Sequence, residues 1–125
     1  MSQANADASK QMMKALLWAG IEGYCPLWQA LWEVNAVLPD VSEQDRWEAT
    51  RQLVQSLVAR GAIQLLWYMP LDGEKSARVV ERADAQPLIS QAESWVVRPW
   101  EQETVGYVTT DKGEALYRSL FDTAP

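Results

Sequence analysis

Apolar residues recur along this chain with two different periods, and the change from one to the other marks its elements. Over 10–22, Met13, Leu17 and Ile21 fall at i, i+4 and i+8 with Met12 and Leu16 beside them, which makes one apolar face of a helix. Gly20 and Gly23 are expected to end it. The residues before it, 1–9, are polar and alanine-rich with no periodicity to bury, so a flexible tail is expected there. Pro26 suits the first position of a second helix over 26–38, where its missing N–H costs nothing. Leu27, Leu31, Val34 and Leu38 form one ridge of that helix, with Trp28 and Trp32 on the next. Ser42 is placed to cap a third helix over 42–60, with Asp45 three residues on. Its stripe is Trp47, Leu53, Val54, Leu57 and Val58, and Gly61 sits where a C-terminal cap belongs.

After Gly61 the period shortens to two. Ile63, Leu65, Trp67 and Met69 alternate with Gln64, Leu66 and Tyr68, the signature of a strand. Asp72-Gly73 predicts a hairpin turn, with residues 75–82 returning as a second strand. A short helix is expected over 85–94 with Pro87 in its first turn, then an extended stretch before Pro99. Thr104–Thr109 reads as a last strand, and Thr110 as the cap of a closing helix to Phe121, with Leu116 and Leu120 turned inward. The expected class is α+β: three N-terminal helices, a small β wing with an inserted helix, and a C-terminal helix. Residues 10–125 form one domain on this pattern, with 74–103 as an insertion in the wing.

Two stretches resemble the winged helix-turn-helix family. "LVQSLVARGAIQLLWY", residues 53–68, is similar to that family's third helix running through a glycine into the first wing strand. "YVTTDKGEALYRSL", residues 107–120, is similar to its last wing strand followed by Thr-x-x-Gly and a final helix. Tyr107, Thr110, Gly113, Ala115 and Leu116 carry the second match: Thr110 caps the helix, and Gly113 permits close approach of another backbone. The resemblance covers residues 10–69 and 104–121. It implies a fold, and one fold hosts many functions.

Charge separates this chain from an ordinary DNA reader. The net charge is −6, and between Ala15 and Thr50 the acids Glu22, Glu33, Asp40, Glu43, Asp45 and Glu48 face a single base, Arg46. The resemblance would put the start of the recognition helix in this segment, where a phosphate binder needs Lys or Arg. Enzyme chemistry has little to work with. There is no histidine, which removes the commonest acid–base catalyst, and the one cysteine, Cys25, has no histidine to activate it. That composition also offers no multi-cysteine metal site, and no cofactor motif is present. The start shows no basic cluster before an apolar core, and no apolar stretch is long enough to span a membrane. A cytoplasmic protein is expected.

Seven tryptophans accompany a single phenylalanine. Trp47 and Trp67 lie in phase with apolar neighbours and are expected in the core, while Trp95 and Trp100 are expected to hold the inserted loop onto the body. Trp28 and Trp32 widen the second helix's apolar face; either the insertion covers them or they are exposed anchors. Two functions from different classes fit. The first is a non-catalytic module that binds a basic protein through Trp28, Trp32, Glu33, Glu43 and Glu48; bacterial immunity proteins that neutralise nuclease toxins share this general character. The second is a winged-helix transcriptional regulator, with Gln44, Arg51, Gln52 and Gln55 facing DNA and dimerisation through the terminal helix or the tryptophan ridge.

Overall fold

The computed structural model describes the backbone of residues 3–121 and the side chains of residues 7–121. It is an α+β structure. In chain order the elements are α1 (Gln3–Glu22), β1 (Cys25–Pro26), α2 (Leu27–Val37), α3 (Glu43–Ala59), β2 (Ile63–Tyr68), β3 (Arg78–Val79), α4 (Arg82–Ser90), β4 (Thr104–Thr109) and α5 (Asp111–Ser119). Short 3-10 turns occupy Gly73–Ser76 and Ala92–Trp95. The strands make one antiparallel sheet in the order β1-β4-β2-β3.

The local signals for element ends act as their chemistry requires. Ser42 Oγ accepts the Asp45 N–H at 3.2 Å and so satisfies one of the free donors that begin α3. Gly61, at φ +75°, ends that helix in the left-handed conformation, with Ala62 N–H bonding Leu57 C=O and Gly61 N–H bonding Val58 C=O. Thr110 Oγ1 accepts from Gly113 N–H at 3.1 Å and donates to Gly61 C=O at 2.6 Å, tying the start of α5 to the end of α3. A Cβ on Gly113 would run into the Ala62 carbonyl oxygen, so only glycine lets α5 seat there.

Several elements differ from the sequence pattern. α1 starts at Gln3, so residues 3–9 are helical, a result consistent with the alanines at 4, 6 and 8; residues 1 and 2 lie outside the described residues. Gly20 does not end α1. It lies buried inside the helix, where a Cβ would collide with Thr109 Oγ1 and stand 2.8 Å from the Tyr107 ring. That closeness lets Tyr107 Oη donate to Leu16 C=O at 2.6 Å and Thr109 Oγ1 to Leu17 C=O at 2.8 Å. The returning strand expected over 75–82 shrinks to Arg78–Val79, because Gly73–Ser76 coils first. The inserted helix begins at Arg82, which leaves Pro87 in its interior and not in its first turn. Pro87 and Ala83 are both exposed, so water can serve the carbonyl whose helical partner the proline ring removes.

The short strand β1 has no counterpart in the sequence pattern. Cys25 pairs with Tyr107 and Pro26 with Gly106, which clamps the α1–α2 junction onto β4. Strand pairing then sorts side chains onto two faces. Cys25, Ile63, Leu65, Val105 and Tyr107 join Leu16, Leu17, Leu27, Val34, Val54 and Leu57 in the main core. Pro26, Leu66, Tyr68, Thr104, Gly106 and Val108 belong to the opposite face.

Candidate functional site

The acidic stretch read from the sequence becomes a surface on α3. Glu43, Gln44, Asp45 and Gln52 are exposed. The basic residues nearby point their charge inward. Arg46 Nη1 donates to the carbonyls of Leu38 at 3.3 Å, Pro39 at 3.4 Å and Val41, binding the turn that follows α2. Arg51 Nη2 meets Glu48 Oε2 at 2.6 Å, and its guanidinium lies 5.2 Å from the Trp47 ring centre. Gln55 Nε2 reaches Ser90 Oγ of α4 at 3.5 Å. Of the residues placed against DNA by the second sequence reading, Gln44 and Gln52 face solvent, while Arg51 and Gln55 are turned to neighbours.

The proposed protein-binding residues fall into separate places. Trp28 and Trp32 meet edge to face, with ring centres 5.0 Å apart. Trp28 is half-buried and Trp32 is 61% exposed, so the inserted segment leaves Trp32 uncovered. Trp32, Asn35 and Ala36 form an exposed stripe at helical spacing on α2. Glu33 instead lines a hollow of about 370 Å³ with Trp18, Glu22, Tyr24 and Gln29. Glu48 is half-buried in its ion pair with Arg51.

The tryptophans expected in the core, Trp47 and Trp67, and those expected to hold the inserted loop, Trp95 and Trp100, also divide. Trp95 is buried, and its indole N–H donates to Ile89 C=O at 2.9 Å. Trp47 and Trp67 are only half-buried; Arg78 and Arg98 lie over the Trp67 ring at 5.6 and 6.0 Å. Trp100, expected to hold a loop down, is 68% exposed.

A groove of about 670 Å³ on the sheet's second face has no counterpart in the sequence pattern. Its lining includes Pro26, Tyr68, Thr104 and Val108 from the strands, Trp28 from the first turn of α2, and Trp100 from the loop before β4. Tyr24 packs edge to face on Tyr68, with ring centres 5.1 Å apart. Burial pushes the Tyr68 phenol well above its ordinary range, so it stays protonated at neutral pH. The available signal was weak: aromatic residues just after Gly23 and at an even-numbered position of β2, distant in sequence. Cys25, 1% exposed on the core side, has its thiol pushed up to about 12 by burial and is no thiolate nucleophile at neutral pH.

No family model, curated protein or solved structure matches this chain. Among the described residues no group of His, Cys, Asp or Glu could hold a metal ion, and no helix is long and apolar enough to cross a membrane.

Proposed function

We propose that this chain is a non-catalytic protein-binding module, inhibitor- or immunity-like in character, which acts in the cytoplasm. Its acidic α2–α3 surface steers a basic protein onto exposed tryptophan. One observation carries this: Arg46 and Arg51 spend their guanidinium groups on the Leu38, Pro39 and Val41 carbonyls and on Glu48, leaving Glu43 and Asp45 as the outward charges at the start of α3. Setting like charges against each other in an interface costs on the order of several kcal/mol, so this end of α3 repels a phosphate backbone and attracts a cationic surface. The frame we assign to the module is winged-helix-like. Supporting it, the strand between the first two helices pairs with the last strand, which pairs in turn with the strand after α3, and the 74–103 insertion falls in the connection between those two strands.

The second reading, a dimeric winged-helix regulator, draws on the same strand order and on the exposed Gln44 and Gln52 of α3. Affinity capture from the native cell separates the two. Wild-type bait should retain a basic protein at physiological salt, and the Glu43→Lys, Glu48→Lys double variant should retain much less of it. Retention of duplex DNA, or of an acidic protein indifferent to the reversal, would contradict the proposal.

A further inference from the structure

The groove on the second sheet face brings aromatic residues and carboxylates together. Four aromatic residues line it, Tyr24, Trp28, Tyr68 and Trp100, two of them with indoles, while Tyr68 itself is buried beneath Tyr24. A ring face attracts a cation held within about 6 Å of its centre, tryptophan most strongly. The groove's acids, Glu22 and Glu74, are exposed, and neither takes part in an ion pair among the described residues. Its one cationic lining residue, Arg98, is already used. The guanidinium donates to the carbonyls of Glu103 at 3.2 Å and Glu93 at 3.4 Å and lies over Trp67. With two carboxylates against one guanidinium whose N–H groups are engaged elsewhere, and with aromatic residues around them, the lining is net negative and complements a positively charged guest. Its volume, about 670 Å³, falls within the roughly 300–1,000 Å³ of small-ligand pockets, room for a long side chain with its flanking backbone.

We infer that this groove receives a lysine or arginine side chain from an extended basic segment of the protein partner. The cation lies between Trp28 and Trp100, with Glu22 and Glu74 at the mouth. The inference rests on the proposed function, that the partner is a basic protein, and names the place where that partner is anchored. Trp100, held 68% exposed, is then an indole whose apolar face is covered only in the complex.

The test is two-dimensional NMR of the full chain, following the indole N–H resonances. The probe is a short end-blocked peptide alternating lysine with glycine. The Trp28 and Trp100 resonances should shift saturably, while an equivalent peptide with glutamate for lysine leaves them in place. Trp100→Ala and the Glu22→Gln, Glu74→Gln pair change exposed side chains, and each should weaken the peptide about tenfold. Glu43→Lys with Glu48→Lys should change its affinity less than about twofold, since those residues lie on α3. Shifts confined to other tryptophans, unchanged affinity in the groove variants, or equal response to choline at the same concentration would overturn the inference. If only the α3 reversal weakens the peptide, the basic-partner reading stands and the groove assignment falls. If no variant matters, or no peptide binds, the groove assignment falls, and the capture experiment with the α3 reversal decides the broader reading by itself.

Discussion

Trp95 and Trp100 lie five residues apart in one loop, and replacing each by alanine should give opposite outcomes. Trp95 is 6% exposed, so it buries nearly all of its surface. A tryptophan of about 250 Å² at about 25 cal/mol per Å² gives a ceiling near 6 kcal/mol, and the compactness of real unfolded chains lowers it. Truncation also strands the Ile89 carbonyl that its indole serves, which adds about 1 kcal/mol. Trp95→Ala should therefore cost about 4–5 kcal/mol, a large share of the 5–15 kcal/mol that holds a typical domain together. Trp100 is 68% exposed. Its buried third amounts to about 80 Å², with a ceiling of about 2 kcal/mol and an expected loss nearer 1 kcal/mol. Urea unfolding followed by circular dichroism measures both. With a slope of about 1–3 kcal/mol per molar, Trp100→Ala should lower the midpoint by about half a molar, and Trp95→Ala by about 2 M or abolish folding. Equal losses, or more than about 3 kcal/mol at Trp100, would show that Trp100 is structural and unavailable to a partner.

Three further outcomes are expected. Burial raises the Cys25 thiol from its ordinary 9.0 to about 12, and raises the Tyr68 and Tyr107 phenols as well. The folded chain therefore keeps protons that the unfolded chain releases, so stability is full below about pH 9 and falls as pH rises toward 12; a melting temperature flat across that range, or a slope unchanged in Cys25→Ala, would refute this. Gly113→Ala places a methyl group against the Ala62 carbonyl and should cost about 1–3 kcal/mol, although alanine favours a helix interior by about 1 kcal/mol. Thermal unfolding checks it, and a gain in stability would disprove the close approach. Random duplex DNA should show no retention in a mobility-shift assay at physiological salt; micromolar binding that weakens steeply with added salt would reveal a basic surface that Arg46 and Arg51 do not supply.

How much was legible depended on the range of the interaction. Ser42, Gly61 and Thr110 announce element ends because a cap bonds groups within a few residues, and each does so in the structure. Gly113 was legible through its spacing from Thr110. The role of Gly20 was not, because its close neighbour Thr109 lies at the far end of the chain. β1 is two residues long, too short to show any period, and its pairing with Gly106 and Tyr107 is a tertiary event. The groove depends on that same pairing: Tyr24, Tyr68 and Trp100 line one hollow only once β1, β2 and β4 are side by side. Trp28 and Trp32 at i, i+4 were visible as a pair, and so was the acidity of α3. That Arg46 turns toward three carbonyls and Arg51 toward Glu48 required the coordinates, since a sequence counts charges without showing which are already engaged.

The central claim, that an acidic α3 surface steers a basic protein, is tested most directly by the association rate of the captured partner as a function of salt. The wild-type rate should fall as salt rises, because screening removes long-range attraction. Glu43→Lys with Glu48→Lys should associate more slowly and with a flattened salt response, while its dissociation rate stays close to wild type. An association rate and salt slope unaffected by the double reversal would contradict the account.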